Sequence, residues 1–438
     1  MPSNVYSSQA LETRLVREAQ YGVTPGSPAY KRLNGLGVNL GAKIETDPFA
    51  APGQLAPAIV MVNDDYSMGD INGRVDFNGI TYPISGILGA PVITSLGSGA
   101  YEHNWSWNGR RGNRPASYTI NNGVAESANV ATGFIFNSLE VGGGRADGFD
   151  LKGDGFAKAM TAGQTMGGLT NEVQTLTKGG TWSGGTYTIT IVETGQTTAP
   201  IAYNAIAATI QAAIDAALGY SGDIVVTGGP LSTTPVTLTY GGYFAGRNVA
   251  QATADVSLVT GTAPTVTPAT TTPGADAVTD VPAVPAGAVL GNTYLDTTWA
   301  GLGTTQLLYC MNMALKIGDR MSRVRPINKS KSSDSVIDVA DQEHTLGLTF
   351  LRNAVADAQL ARLRAGTKVF SRVEWVSDQL IGATAYLLQI DSCIFYTEAG
   401  MPDDADGAST VEYTGRMAID DVTGNVLSVK LRNAVASL

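Results

Sequence analysis

The sequence is poor in charged, aromatic and metal-binding residues. Only 15% of its 438 residues are Asp, Glu, Lys or Arg, against about 25% in an average soluble domain. Two histidines, two cysteines and 7% aromatic residues exclude a histidine-rich metal centre, a zinc-finger array and a disulfide scaffold. With 52 glycines and 43% hydrophobic residues, the composition favours β-structure with many turns.

Length and charge narrow the class of protein further. A chain of 438 residues predicts about three domains. The 28 Lys and Arg residues against 38 Asp and Glu give a net charge of −10, which disfavours a protein that grips nucleic-acid phosphates but permits a passive surface facing DNA. The absence of a signal-peptide core and of a long apolar run predicts a soluble, non-secreted protein with no membrane partner.

The two cysteines lie far apart in the sequence. Cys310 and Cys393 each stand in an apolar segment, which is more typical of buried free thiols than of a disulfide bridge.

Composition divides the chain into four segments. The segment 171–263 is rich in Thr, Gly and Ala and nearly free of charge, and 264–287 is rich in Pro and Thr. We predict a first body part at 1–170, an inserted α+β decoration domain at 171–263, an extended mobile linker at 264–287 and a second body part at 288–438.

Periodicity within the inserted segment predicts one helix over a small sheet. The helix is predicted at 203–218, because Ile206, Ile210, Ile214 and Leu218 recur at four-residue steps on one face. Alternation and β-branched residues predict strands at 186–192, 223–227, 235–240 and 255–259.

The flanking parts repeat the order strand, helix, strand, strand. Helices are predicted at 80–88 and at 353–365, the second ending at Gly366. Strands are predicted at 69–77, 100–107, 115–120, 132–141, 344–350, 368–376, 385–396 and 410–419. Internal duplication and a chance likeness both explain this order, because many β-folds share it.

A search for catalytic and ligand-binding patterns yields only weak candidates. The glycine-rich run 141–148 departs from a phosphate-binding loop because Asp147 replaces the last glycine, so a turn after a strand is expected. Asp150 and Asp154, together with Asp147, do not fit the spacing of an EF-hand. We therefore predict no catalytic, cofactor-binding or metal-binding residues, and no enzyme.

Other polar groups have structural interpretations that outweigh the functional ones. The acidic run containing Asp403 and Asp404 is typical of a solvated loop between strands, with an interaction surface as the alternative. His103 shares a predicted strand face with Tyr101, Trp105 and Trp107. His344 lacks a partner at ligand spacing, and Arg110, Arg111 and Arg114 favour a salt-bridging hairpin tip over a phosphate contact.

Several segments, taken in order, resemble the tail tube (major tail) proteins of long-tailed bacteriophages. The segments that carry the likeness are 17–25 (REAQYGVTP), 70–89, 101–107 followed by 115–120, 133–141 (GFIFNSLEV) and 421–433 (DVTGNVLSVKLRN). The inserted segment is similar to a module repeated in phage structural proteins, through Gly179–Trp182, Gly195–Thr198, the helix at 203–218 and Val225–Gly228. The minimal tail tube pattern lacks this module, so an outward-facing decoration is expected.

The resemblance implies a mainly β fold, a β-sandwich or half-barrel with a flanking helix. It implies rings of six tail-tube units, formed by a hexamer or, if the chain is duplicated, by a trimer. The rings stack into a hollow tube through which genomic DNA leaves without specific binding. Further expected partners are the tape measure and tail terminator proteins, and the expected location is the virion, with the host cytoplasm before assembly. Segments 40–60 and 327–340 are polar candidates for flexible arms that become ordered on contact with the next ring.

Two alternatives stand beside the tail tube. The Thr/Gly-rich insert and exposed aromatics are compatible with a tail tip, fibre or decoration protein that binds host-surface glycans. A hydrolase using Asp403 and Asp404 is the third hypothesis, since paired carboxylates cleave glycosidic bonds.

Overall fold

The computed structural model describes residues 11–26, 28–50, 52, 56–57, 59–109, 115–144, 148–287, 291–307, 309–318, 320–325, 332–339, 344–405 and 407–438. Strands make up 59% of the structure and helices 10%. The predicted mainly β fold class is therefore confirmed.

In the portion that the structure describes, the first body part contains ten strands and one α-helix. They are β1 (Glu12–Arg17), β2 (Lys31–Leu33), β3 (Leu36–Phe49), β4 (Ile59–Arg74), α1 (Thr81–Leu88), β5 (Val92–Gly97), β6 (Ala100–Trp107), β7 (Tyr118–Val124), β8 (Ser127–Gly144), β9 (Gly148–Ala157) and β10 (Ala159–Gln164).

The inserted unit, called the insert below, contains nine strands and one helix. They are β11 (Leu169–Thr170), β12 (Val173–Ile191), β13 (Gln196–Thr197), β14 (Ile201–Ala202), α2 (Ala207–Leu218), β15 (Ile224–Gly228), β16 (Val236–Tyr240), β17 (Thr253–Asp255), β18 (Val259–Thr272) and β19 (Ala275–Asp276).

Within its described residues, the second body part contains eleven strands and one α-helix. They are β20 (Thr279–Val281), β21 (Gly291–Asp296), β22 (Cys310–Ile317), β23 (Met321–Val324), β24 (Ser335–Asp338), β25 (His344–Leu351), α3 (Ala354–Ala365), β26 (Val369–Ile381), β27 (Thr384–Ala399), β28 (Asp403–Ala405), β29 (Ala408–Met417) and β30 (Leu427–Asn433).

The two body parts repeat one order of strand pairing. In the first repeat the antiparallel order is β1-β7-β8-β9-β4-β3. In the second repeat it is β21-β26-β27-β29-β25-β22. The strand that follows β9 or β29 pairs in both repeats with the first half of the long strand, as β10 with β8 and β30 with β27. The body is thus an internal duplication of one topology.

Local details of the long strand also recur. The β8–β9 ladder shifts register between Phe136 and Ser138, and the β27–β29 ladder shifts between Tyr396 and Glu398. Each helix packs on the long strand of its own repeat, α1 on β8 and α3 on β27. A Cβ atom at Gly86 of α1 would approach Phe136 to 2.4 Å, so this glycine allows the helix to lie directly on the ring.

The two helices form for different local reasons. In α3, Asn353 accepts hydrogen bonds from the N–H groups of Val355 and Ala356, and Gly366 adopts φ 61 after the last turn. In α1 every residue is buried and the residue at the N-cap, Ile80, gives no side-chain cap. Tertiary packing therefore holds α1, while α3 carries its own start and stop signals.

The repeats join into one core. Residues from both body parts form a single buried hydrophobic cluster, because β8 pairs with β22 and β30 bridges β27 to β6. The predicted strands at 100–107 and 344–350 correspond to β6 and β25. The predicted glycine turn at 141–148 is wrong in its first half, since β8 continues to Gly144.

The insert has its own core beneath α2. Ile210 and Ile214 are fully buried, as the four-residue spacing predicts, and pack with strands β12, β15 and β16. Ile206 is exposed because it stands at the N-cap, before the helix begins. The predicted strand at 255–259 is interrupted, since β17 ends at Asp255 and β18 begins at Val259.

The predicted mobile linker at 264–287 is wrong, and the insert extends beyond residue 263. Strand β18 pairs with β12 from Gly185 to Val173, and Pro268 lies opposite Leu176 in that ladder. Further along, β19 pairs with β11, and β20 pairs in parallel with β2. Proline is tolerated in β18 because this edge strand pairs only with β12.

A two-residue ribbon, called the stem below, connects the insert to the body. It consists of β11 and β19, with Leu169 opposite Asp276 and Thr170 opposite Ala275. Arg14 of β1 is 2% exposed and binds the chain on both sides of the stem. It donates to the backbone carbonyl of Gly167 at 3.0 Å and to Asp276 Oδ1 at 2.9 Å. Both ends of the insert are therefore tied to β1.

Candidate functional site

Of the three aspartates considered for a calcium loop, Asp150 and Asp154 share no site. Asp150 and Asp154 both lie within β9, four residues apart along a strand that rises about 3.3 Å per residue. Their carboxylates are thus too far apart to hold one calcium ion at 2.3–2.6 Å. Asp147 lies outside the described residues. Asp150 is near Arg74, with an N–O distance of 3.8 Å.

The acidic run near the end of the second repeat is a strand rather than a loop. Asp403 and Asp404 are exposed and belong to β28, which pairs with β29. Asp403 accepts from the N–H of Asp404 at 2.8 Å, and Asp404 accepts from the N–H of Gly407 at 2.8 Å. These carboxylates organise the hairpin tip, and β28 continues the line of β27.

Both histidines are buried at contacts within the body. His103 and Trp105 stack with ring centroids 5.8 Å apart, so the predicted aromatic strand face is confirmed. The Nε2 atom of His103 lies 2.8 Å from Val435 O, and burial lowers the pKa of this histidine. His103 is a core group.

His344 lies where the two repeats meet. Its Nδ1 accepts a hydrogen bond from the N–H of Gly318 at 3.1 Å, and its ring meets Trp107 of β6 edge-on at 4.6 Å. Burial, with the nearby charges of Arg320 and Arg416, lowers its pKa to about 4. His344 is therefore neutral at pH 7, with Nδ1 as an acceptor.

The predicted free thiols are confirmed, with one correction. Cys310 and Cys393 are both free. Cys393 is buried, whereas Cys310 is half-buried and not fully enclosed as predicted. Burial raises the pKa of each thiol to about 11, so neither is a reactive thiolate at neutral pH. Arg110, Arg111 and Arg114 lie outside the described residues.

A cavity of about 810 Å³ lies beside the segment that carries the first family-like motif. The buried carboxylate of Glu18 there accepts from Thr119 Oγ1, Gly133 N and Gly22 N, each at 2.8 Å. The hydroxyl of Tyr21 lies 2.8 Å from Ser333 Oγ. These contacts saturate Glu18 and anchor the N-terminal segment, a role that no spacing rule in the sequence could indicate.

The β3–β4 hairpin extends from the body with exposed apolar residues on both faces. The predicted flexible arm at 40–60 is wrong where it is described, because β3 and β4 pair from Leu36 opposite Gly73 to Phe49 opposite Ile59, with one register shift between Glu45 and Thr46. Its exposed apolar side chains are Ile44, Phe49, Ile59, Val60, Met61 and Val62. An apolar surface of this kind marks an interaction site.

Charged groups fix the base of this hairpin. Asp64 is fully buried and forms ion pairs with Arg323 and Arg325, the second at 2.9 Å. The Arg323 guanidinium lies 3.3 Å above the ring of Tyr66, and Arg325 also binds Glu45 at 3.0 Å. The second predicted arm is likewise ordered at residues 335–338, where β24 pairs with β23; residues 327–331 and 340 lie outside the described residues.

The junction of the two repeats is a third surface of interest. Residues of β8 from Leu139 to Gly144 pair with β22 on the side that β9 leaves free. Lys316 of β22 lies directly opposite Glu140 of β8. Val141 and Leu315, an opposite pair on the inner face, are both buried.

Within the described parts of the chain, no three His, Cys, Asp or Glu side chains are grouped so as to hold a metal ion. No helix in those parts has the length and apolarity to cross a membrane. Comparison of the chain with protein-family models and with curated protein sequences yields no match.

Proposed function

We propose that the chain is a structural virion protein that oligomerises into stacked rings, which form the hollow tail tube of a long-tailed bacteriophage. The tube is the conduit for ejection of genomic DNA. The observation that carries the proposal is the duplicated β topology, together with the ordered family-like segments. In this proposal the chain has no catalytic role.

The duplication favours a trimer over a hexamer. Each chain supplies two copies of one strand order, so three chains supply the six units that the family resemblance implies. Closed cyclic symmetry is the usual outcome for soluble homo-oligomers. The tape measure and tail terminator proteins are the further partners proposed, with assembly in the host cytoplasm and residence in the virion.

The exposed hairpin suits contact between stacked rings. Its apolar residues, Phe49 and Ile59 at one end of the ladder and Ile44 nearer the body, are open to solvent in one chain. A flat exposed β-hairpin of this kind is an aggregation hazard unless a partner covers it.

The acidic balance suits a channel that DNA passes through. A net charge of −10 per chain scales with the number of subunits, and a surface that repels phosphate does not retard the moving duplex. Electron microscopy of the assembled ring would show which residues line the channel.

Electron microscopy of the purified full-length chain tests the proposal. We expect rings or tubes with a central channel, and three chains per ring by mass measurement. A protein that stays monomeric across a range of salt, pH and protein concentration would overturn it.

One observation favours the alternative of a tail tip, fibre or decoration protein. On the insert, the exposed ring of Tyr243 stacks with the guanidinium of Arg247 at 4.4 Å, and aromatic surfaces of this kind bind sugar rings. Glycan-array binding by the full-length chain that is lost in Tyr243→Ala would support this function. No binding in either protein would remove it.

A further inference from the structure

The junction between the repeats pairs an edge of β8 with an edge of β22. The equivalent edges of the other repeat, on β27 and β3, have no partner within the described residues. Strand β27 is the counterpart of β8, and beyond Ile394 it pairs only with β29 within the described chain. Strand β3 is the counterpart of β22, and its described ladder is with β4 alone. One chain thus contains one joined pair of edges and one unjoined pair.

Shared register makes the correspondence residue by residue. On the long strands, Ser138 and Glu398 both follow the bulge, which aligns Val141 with Met401. Residues that lie opposite one another on three adjacent strands align the other edge. These residues are Leu40, Gly69 and Gly155 in the first repeat and Leu315, Leu346 and Gly415 in the second, so Leu40 corresponds to Leu315.

We propose that β3 of one copy pairs antiparallel with the free edge of β27 in a second copy of this chain. The register follows the β8–β22 junction, which places Ala42 opposite Ala399 and Leu40 opposite Met401. The inference rests on the proposed function in taking the partner to be another copy of the chain. The contact is head to tail, and repetition of such a contact gives a ring when the rotation between neighbours closes and an open filament when it does not; the proposed function requires the ring.

Exposure differs between the joined and unjoined edges as this pairing requires. In the joined pair, Val141 is 1% exposed and Leu315 is buried. In the unjoined pair, Met401 is 91% exposed and Leu40 is half-buried. A second copy would cover an apolar side chain that solvent surrounds in one chain.

In both the joined and the proposed pair of edges, the long strand carries an acidic residue opposite a basic residue of its partner strand. The joined edges place Glu140 on the long strand opposite Lys316 on the partner strand. One residue beyond the Ala42 and Ala399 pair, the proposed register places Glu398 opposite Lys43, and both side chains are exposed. Opposite charges directly across a ladder stabilise the pair and fix its register.

The backbone of β3 is oriented to accept a partner strand. The N–H of Val38 donates to Thr13 Oγ1 at 3.2 Å rather than to β4, so it faces away from the hairpin. Because orientation alternates along an antiparallel strand, the N–H and C=O groups of Leu40 and Ala42 face the same way. These are the groups that a second copy would bond.

Cysteine pairs in the full-length chain test the register. Ala42→Cys with Ala399→Cys creates directly opposite residues, whose Cβ atoms are expected about 4.5–5.5 Å apart, near the range of a disulfide. The matched control, Ala42→Cys with Met401→Cys, is a diagonal pair about 7–8 Å apart. We expect oxidation to link chains at least tenfold faster in the first variant, seen as bands of two and three chains on a denaturing gel.

Two further variants separate pairing from folding. Ala42→Pro removes an outward N–H without affecting the β4 ladder and should abolish rings while leaving the thermal unfolding temperature of the chain unchanged. Lys43→Glu should weaken assembly at least tenfold, and Lys43→Glu with Glu398→Lys should restore it. Lys178→Glu in the insert makes the same charge change and should assemble normally.

The outcomes distinguish the junction from the function. Rings that form in Ala42→Pro, or equal cross-linking of the direct and diagonal pairs, overturn the proposed junction and leave the tail-tube proposal standing. Failure of the unmodified chain to form any ring overturns the tail-tube proposal itself.

Discussion

The two repeats share their scaffold and differ at their edges. In the first, the outer half of the long strand β8 is covered by β22, whereas the corresponding half of β27 is open. Under the helices the aromatic position before the bulge is kept, as Phe136 in one and Tyr396 in the other. Packing between helix and sheet therefore defines the unit, and the edges determine which neighbour it takes.

The largest expected change in stability distinguishes the equivalent aromatic residues Phe136 and Tyr396. Phe136→Ala removes a fully buried ring beneath α1 and should lower the free energy of unfolding by about 3–5 kcal/mol. Tyr396→Phe keeps the ring and removes one hydrogen bond, from its hydroxyl to Gln359 Oε1, at about 0.5–1.5 kcal/mol. Urea denaturation checks both values. Equal losses would mean that the ring at position 136 is not what supports α1.

Acidification should weaken the meeting point of the repeats. The folded pKa of His344 is about 4, below the unfolded value of about 6.5. The unfolded chain therefore binds more protons between these values, and stability falls as pH drops from about 6.5 to 4, by roughly 2–3 kcal/mol.

The His344 contribution is isolated by His344→Gln, whose side-chain oxygen can still accept from Gly318. Thermal unfolding measured at pH 7 and pH 4.5 should show a smaller loss in the variant than in the unmodified protein. Parallel pH profiles would assign the acid sensitivity to other groups, such as His103.

Substitution of the equivalent glycines Gly155 and Gly415 should lower the free energy of unfolding by smaller and unequal amounts. At Gly155 an added Cβ would meet the backbone oxygen of Ile135 at 2.5 Å, whereas at Gly415 the three nearest atoms all belong to the Ile394 side chain, the closest at 2.9 Å. Gly155→Ala should cost about 1–3 kcal/mol and Gly415→Ala less, because a side chain moves aside more readily than backbone. Denaturation curves of the two variants measure the difference, and a reversed order would contradict the greater cost of a clash with backbone.

The smallest effect distinguishes the helices. Asn353→Ala removes the cap of α3 and should cost about 1 kcal/mol, with Asn353→Asp restoring most of it. The corresponding residue of α1, Ile80, is fully buried and has helical rather than extended backbone angles, so Ile80→Asn would bury a polar group without forming a cap and should not stabilise the first repeat. Thermal melting of the three variants measures this contrast.

Sequence patterns predicted local structure well and partnerships poorly. Helix α2 follows from its four-residue apolar spacing, the end of α3 follows from Gly366, and strands β6 and β25 follow from alternation, all of which act within a few residues. The segment with Pro268 predicted a tether, because composition does not reveal that β12 offers it an edge. The roles of Glu18 and Arg14 were not predicted, since Thr119, which donates to Glu18, and Asp276, which pairs with Arg14, lie 101 and 262 residues away along the chain.

The duplication itself was left open by the sequence for the same reason. Equivalent positions carry different residues, such as Phe136 and Tyr396 or Val141 and Met401. Few identical residues are kept, such as Gly155 and Gly415, and the bulge that both repeats share has no sequence signature of its own here. Register across strands was needed to align the halves.

The stem determines how the insert could be gained or lost. Leu169 and Asp276 are opposite residues of adjacent strands, so their Cα atoms lie about 4.5–5.5 Å apart. The insert, more than a hundred residues long, therefore joins two points of the body that a tight hairpin turn could also join. A single in-frame genetic exchange at this point would replace the whole insert and leave every strand of the duplicated body in register, which makes the stem a natural site for displaying a foreign domain.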